Sequence, residues 1–263
     1  MEKDIIYCKD SRSMTEVDDG SVQLVVTSPP YNVGKEYENY HDKQDLKTYL
    51  HLLNEVWKEC VRVLCKGGRI AINIANTNRT PYLPLNAYIT TQMLDLGMLM
   101  RGEVIWDKGA SVGTSTAWGS FARASNPVLR DLHEYIMIFS KESFALESKR
   151  NHSGITNEDF VNWTRSIWEF PTESAARVGH PSPFPEELPR RLILLYTNEG
   201  DLVLDPFMGS GTTAVATKKL GRHYTGYDIS EEYCEIAKRR IANVQGIQVP
   251  LFDLDNIKGH RTS

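Results

Sequence analysis

A chain of 263 residues with a formal net charge of −4 suits one large domain able to bury a core. That charge gives no global positive field advertising nucleic acid, so such a partner would have to meet a local basic groove. No apolar run approaches the roughly 20 residues of a membrane helix, and the charged start MEKDIIYCKD lacks a signal-peptide core, so a cytoplasmic protein with no membrane partner is expected.

Taken in chain order, SVQLVVT (21–27) reads as a buried, β-branched strand. DLKTYLHLLNEVWKECVRVL (45–64) places Leu46, Tyr49, Leu50, Leu53, Val56, Trp57, Cys60, Val61 and Leu64 on one helical stripe. Asp45 is its expected N-cap, and Gly67 with Gly68 its expected stop. RIAINI (69–74) is a strand, LNAYITTQMLDLG (85–97) a helix, LMRGEVIW (99–106) and HEYIMIF (133–139) strands. Residues 107–130 and 141–185 lack sustained periodicity, which in a compact domain marks functional or disordered stretches. ELPRRLILLYT then reads as a helix, DLVLD as a strand, GTTAVATKKL as a helix and HYTGYD as a strand. SEEYCEIAKRRIANV is a helix with Ser230 as N-cap, and Glu231 and Glu232 favourably placed against its dipole. Alternating β and α predicts a doubly wound, mostly parallel α/β sheet. Cys8, Cys60, Cys65 and Cys234 make no C-x-x-C pair and no zinc-like spacing with histidine, which predicts reduced structural thiols and no metal.

Two stretches stand out chemically. LVLDPFMGSGTTA is strand, acid, glycine loop, helix, and about twenty residues on a second strand ends on Asp228. Gly209 and Gly211 let the backbone approach a ligand closely, and Asp228 can accept from both hydroxyls of a ribose. An adenosine-bearing cofactor is expected. No lysine follows the glycines, which disfavours a triphosphate loop. Gly209, Gly211 and Ala214 fit the dinucleotide pattern G-x-G-x-x-A, which keeps a nicotinamide-dependent oxidoreductase as an alternative. Asp205 suits pyrophosphate poorly, since like charges repel. It suits S-adenosylmethionine, whose sulfonium and ammonium it would face.

The other stretch is TSPPYN, at the end of the first predicted strand. If both strands share a sheet, this turn sits beside the cofactor's methyl group. An exocyclic base amine is a poor nucleophile because its lone pair is delocalised into the ring. Acceptors against its N–H bonds localise that pair, and Ser28 Oγ with the Pro29 carbonyl are suited to this. The fixed φ of Pro29 and Pro30 preorganises them, and Tyr31 offers a flat face to a base swung out of its stack.

TSPPYN together with DPFMGSGTT resembles the amino-methyltransferases that act on exocyclic nitrogens of DNA bases, and the catalytic-first order is similar to their permuted β class. The resemblance implies the S-adenosylmethionine-dependent methyltransferase fold as a single catalytic domain over residues 1–263. Irregular target-recognition segments would lie within it at 108–130 and 141–179. It implies Ser28, Pro29, Pro30 and Tyr31 as the catalytic motif. It places Asp205, Phe207, Gly209, Ser210, Gly211 and Thr212 in the cofactor loop, with Asp228 on the ribose and Asp10, in YCKDSRSM, on the adenine. GHPSPFPEELP is similar to the segment cradling the methionine end, through His180, Ser182 and Phe184. Serine first in the tetrapeptide points to cytosine N4, with adenine N6 as the alternative and RNA amines as a further one. DNA is the expected partner, and the resemblance leaves room for a homodimer and for a cognate restriction endonuclease.

The acid-free stretch 108–130 is the expected DNA contact, through Lys108, Trp118, Phe121, Arg123 and Arg130. Lys149, Arg150 and Arg165 are further candidates for phosphates, and Trp163 for wedging. The loop NVGKEYENYHDK (32–43) reads as a lid over the base.

Overall fold

The computed structural model describes residues 2–33, 36–37, 40–41, 44–78, 81–109, 119–120, 122–147, 152–173 and 184–244. Its strands are β1 (Ile5–Cys8), β2 (Val22–Thr27), β3 (Glu36–Tyr37), β4 (Tyr40–His41), β5 (Leu64–Ile74), β6 (Leu99–Asp107), β7 (His133–Ser140), β8 (Ile167–Glu169), β9 (Leu202–Asp205) and β10 (His223–Asp228). The helices are α1 (Leu46–Val63), α2 (Leu85–Asp95), α3 (Asn157–Trp163), α4 (Glu187–Tyr196), α5 (Thr212–Lys219) and α6 (Glu231–Ala242). Eight strands form one sheet in the order β1-β10-β9-β2-β5-β7-β6-β8, while β3 and β4 pair separately. Seven of the eight run the same way; β7 alone is antiparallel, to both β5 and β6.

Residues of β2 and β9 are almost wholly buried, as expected for strands covered on both faces. On one face, Tyr49, Leu53 and Trp57 of α1 and Leu85 of α2 pack on Val25, Ile70 and Ile72. On the other, Leu188, Leu192 and Ile193 of α4 and Ala216 of α5 pack on Leu24, Val26 and Val203. The chain leaves β2 into α1 on the first face and β9 into α5 on the second. β2 and β9 are hydrogen-bonded neighbours, so the gap between their carboxyl ends is the topological switch point, where open α/β sheets hold ligands.

The expected caps form. Asp45 Oδ1 accepts from Thr48 N, and Ser230 Oγ from Tyr233 N. Three features differ from the sequence reading. Helix α1 passes into β5 at Leu64, before the glycines. Gly67, at φ 73°, instead donates its amide to Lys141 O, and a Cβ there would lie 2.0 Å from Ala145 O. β1 had no sequence signal, because four residues give too little alternation. The irregular stretch 141–185 holds α3 and β8, both short. No helix among the described residues is long and apolar enough to cross a membrane.

Candidate active site

The two chemically marked stretches meet directly. Leu24 aligns with Val203 and Val25 with Leu204, so β2 and β9 end side by side. Thr27, just before Ser28, donates through Oγ1 to Asp205 Oδ1 at 2.8 Å, across 178 residues of sequence. Asp205 Oδ1 also accepts from Phe207 N at 3.1 Å, and Oδ2 from Thr213 Oγ1 at 2.6 Å. Asp205 is 1% exposed. The expectation that it faces a cationic ligand is therefore corrected: both oxygens are turned inward and occupied. It is a clamp joining the proline turn, the glycine loop and α5. Burial drives its pKa up to about 6 against the hydroxyl and amide donors that pull it down.

The glycine loop is fastened from two further sides. Asp228 Oδ2 accepts from Gly209 N at 2.8 Å and Oδ1 from Ser230 N at 2.9 Å, and burial raises its pKa. Gly211 caps α5 at φ 82°, and a Cβ there would stand 2.7 Å from Ala237 Cβ, so this glycine is required for conformation and for the close approach of α6. Arg240 Nη1 reaches from α6 to Ser210 O at 2.6 Å, Ser210 Oγ at 2.9 Å and Thr212 Oγ1 at 3.2 Å. The hydroxyls of Ser210 and Thr212 thus brace the turn from behind. Phe207 lies edge-on to Trp57, ring centroids 6.2 Å apart. Asp10 follows β1, whose Cys8 aligns with Asp228, so it reaches the same sheet edge. It is exposed and held in a fork by Arg12, which keeps its carboxyl below the usual range. Phe184 packs against the α4-side core. His180 and Ser182 lie outside the described residues. The edge thus offers the half-buried Asp228 and the exposed Asp10. Two carboxylates fit a diol, an amine-bearing base and a cation better than a polyphosphate.

At the proline turn Pro29 is buried, and the Pro30 carbonyl accepts from Tyr49 OH at 2.6 Å. Asn32, at φ 57°, ends the turn. Its side-chain amide bonds both ways to Gln44, Oδ1 accepting from N at 2.7 Å and Nδ2 donating to O at 2.9 Å. These two bonds pin Asn32 to Gln44. Tyr31 OH lies 3.0 Å from Ser28 Oγ and donates to Glu134 Oε2 at 2.8 Å. Burial, then the Glu134 charge, push the phenol well above its usual range. Asn73, from β5, and Lys108, after β6, complete the cluster. Sequence reasoning missed Asn73 and Glu134. The one available signal was a polar side chain beside the apolar run of each of two strands.

The family model for N6/N4 methyltransferases, described as DNA methylase, matches residues 22–239. The chain belongs to this DNA methylase family. It is 32% identical over 244 residues to the type II methyltransferase M.HpaI of Haemophilus parainfluenzae, covering 92% of this chain and 74% of the relative. It is 29% identical to the DNA adenine methyltransferase YhdJ of Escherichia coli K12, covering 91% and 82%. The crystal structure of TTHA0409 of Thermus thermophilus in complex with S-adenosyl-L-methionine superposes with a TM-score of 0.71 at 29% identity, covering 90% of this chain and 94% of that one.

Of the methylase residues expected to meet DNA, Arg123 and Arg130 are exposed between β6 and β7. Arg123 sits on a tight turn in which Gly119 bridges Pro127 and Ser120 Oγ donates to Arg123 O at 2.7 Å. Lys108 is placed otherwise: its Nζ is 2.6 Å from Glu134 Oε1, inside the Tyr31–Glu134 cluster. Trp163 is buried beneath Arg190 and Arg191, which corrects its reading as a wedge. Arg165 is exposed. Trp118, Phe121, Lys149, Arg150 and six positions of the expected lid (34, 35, 38, 39, 42 and 43) lie outside the described residues.

Proposed function

We propose that this methylase transfers a methyl group from S-adenosylmethionine to the N4 amine of cytosine in DNA. The observation carrying the reading is Ser28, a neutral hydroxyl, at the end of β2 and tied through Thr27 and Asp205 to the glycine loop. S-adenosylmethionine supplies an electrophilic methyl group. The chain's own contribution is placement. Asp228 accepts from the ribose hydroxyls, Asp10 from the adenine amine, and the Gly209–Gly211 turn with Phe207 shapes the floor. Ser28 Oγ and the Pro29 carbonyl accept the N–H bonds of the target amine, holding nitrogen near tetrahedral geometry and its lone pair in line. In this reading much of the rate comes from effective concentration. One catalytic domain over 1–263, with target recognition at 108–130 and 141–179, belongs to the same proposal, as do a cytoplasmic setting, a homodimer and a cognate restriction endonuclease. The likeness to YhdJ, named as an adenine enzyme, favours adenine N6 as the second reading.

The deciding experiment is methylation of a random DNA pool, then mass spectrometry of nucleosides and modification-sensitive sequencing. N4-methylcytosine is expected; N6-methyladenine alone overturns the base assignment, and methyl groups on RNA only overturn the substrate. Two substitutions test the surrounding roles. Asp228→Ala is expected to weaken S-adenosylmethionine binding about tenfold to hundredfold by calorimetry, the loss of acceptors on a charged group; unchanged affinity removes it from the cofactor site. Arg123→Ala is expected to weaken binding of all duplexes alike and lower the salt slope by about 1 in fluorescence anisotropy. Loss of preference at one base instead assigns Arg123 to base reading.

A further inference from the structure

The Ser28 turn ends in a cluster of side chains that methyl transfer as described leaves unused. Glu134, the second residue of β7, is 8% exposed. Oε2 accepts from Tyr31 OH at 2.8 Å and from Asn73 Nδ2 at 2.6 Å, and Oε1 pairs with Lys108 Nζ at 2.6 Å. These partners come from the turn after β2, from β5 and from the residue after β6, so only the folded sheet brings them to Glu134 on β7.

The polarity of the cluster follows from its chemistry. A carboxylate paired with lysine can only accept. The phenol hydrogen of Tyr31 is therefore committed to Glu134, and the Asn73 amide must present its nitrogen there. Tyr31 keeps only lone pairs, one of them facing Asn73 Nδ2 at 3.1 Å. Ser28 Oγ stands 3.0 Å from the same oxygen. With the phenol hydrogen spent, the Ser28 hydroxyl is the one that donates. What Ser28 then offers to a ligand is lone pairs alone.

We propose that Glu134 is a positioning residue that acts through Tyr31 to hold Ser28 as an acceptor-only group toward the target amine. The inference rests on the amine-methylation reading. Its physical value lies in what an unrestrained serine does instead. In cytosine and in adenine the ring nitrogen next to the amine is an acceptor, so a free hydroxyl can turn and donate to it, leaving the amine N–H unheld. The chain from Glu134 removes that choice. It also polarises each hydroxyl toward the carboxylate, which strengthens Ser28 as an acceptor while positive charge builds on the amine nitrogen. Lys108 fixes the far oxygen of Glu134, so the near one stays aimed at Tyr31.

The test compares Glu134→Gln, Tyr31→Phe and the double variant with the wild-type protein. Single-turnover methyl transfer to the DNA pool is measured alongside S-adenosylmethionine affinity by calorimetry. Tyr31→Phe keeps the ring and its packing, so it reads the hydroxyl alone even if Glu134→Gln folds poorly. Each single variant is expected to slow transfer about tenfold, the loss of one net hydrogen bond, with cofactor affinity within about twofold. The double variant is expected to be no slower than the slower single one, because both cut the same chain. Transfer rates multiplying in the double variant, rates within about twofold of wild type, or cofactor affinity falling in step with rate each overturn the assignment. Wild-type protein that methylates adenine leaves it standing and changes only the base. Wild-type protein that places no methyl on any base amine overturns the function and this inference together.

Discussion

Asp205→Ala is expected to lower the unfolding free energy by about 3 kcal/mol at pH 7, because it strands donors that have no other partner in a buried site. Thr27 Oγ1, Thr213 Oγ1 and Phe207 N all lose their acceptor at once. Chemical denaturation measures the loss. Asp205→Asn keeps a carbonyl acceptor and an amide that can donate to Thr213, so it is expected to cost far less. The asparagine variant isolates a second effect. The Asp205 pKa is raised from 3.8 to about 6 by burial, so the native state holds this proton more tightly than the unfolded chain. Stability from this group is full below about pH 4 and falls as pH rises through 6, by about 3 kcal/mol in all. Other carboxylates, such as Glu59 beside Arg62, are shifted down and slope the opposite way. The difference between wild type and Asp205→Asn is therefore the informative curve. A flat difference between pH 4 and 6 contradicts the buried clamp.

Ser28→Ala is expected to reduce single-turnover methyl transfer about 10²-fold, in the range seen when one preorganised hydrogen-bonding group is removed from a reacting centre. Cofactor affinity is expected to stay within about twofold, since the Ser28 hydroxyl is directed at Tyr31 and not at the glycine loop. A rate near wild type would remove Ser28 from the chemistry and leave the Pro29 carbonyl as the acceptor to examine. A rate and an affinity that fall together would mean that the turn, not the hydroxyl, was lost.

The elements that the sequence announced are those with enough length for a period to show. Helix α1 carries its stripe over 18 residues with a formed Asp45 cap, and β2 and β9 are mostly apolar and almost wholly buried. The short β1, α3 and β8 have no such length, and Gly67 serves a contact with Ala145 that no local pattern encodes. The site divides in the same way. Ser28, Asp205, Gly209, Gly211 and Asp228 stand in compact runs whose residue types are unusual for their positions. Glu134 and Asn73 are 103 and 61 residues away from the partners they bind, and each looks like an ordinary polar break in a strand. Only the β5–β7 register, Ile74 opposite Tyr135, brings them under Tyr31. Arg240 was hidden for a similar reason, as a basic residue in the last turn of α6, where charge against the helix dipole already accounts for it.

The paired bonds between Asn32 and Gln44 have an engineering consequence. A neck pinned this way decouples the proline turn from the length of chain that joins the two residues, and lengthening a loop costs only about 0.6 kcal/mol per doubling. The stretch between those two residues is thus a natural graft point, where a longer or shorter insert can be accepted while Tyr31 keeps its hydroxyl on Glu134.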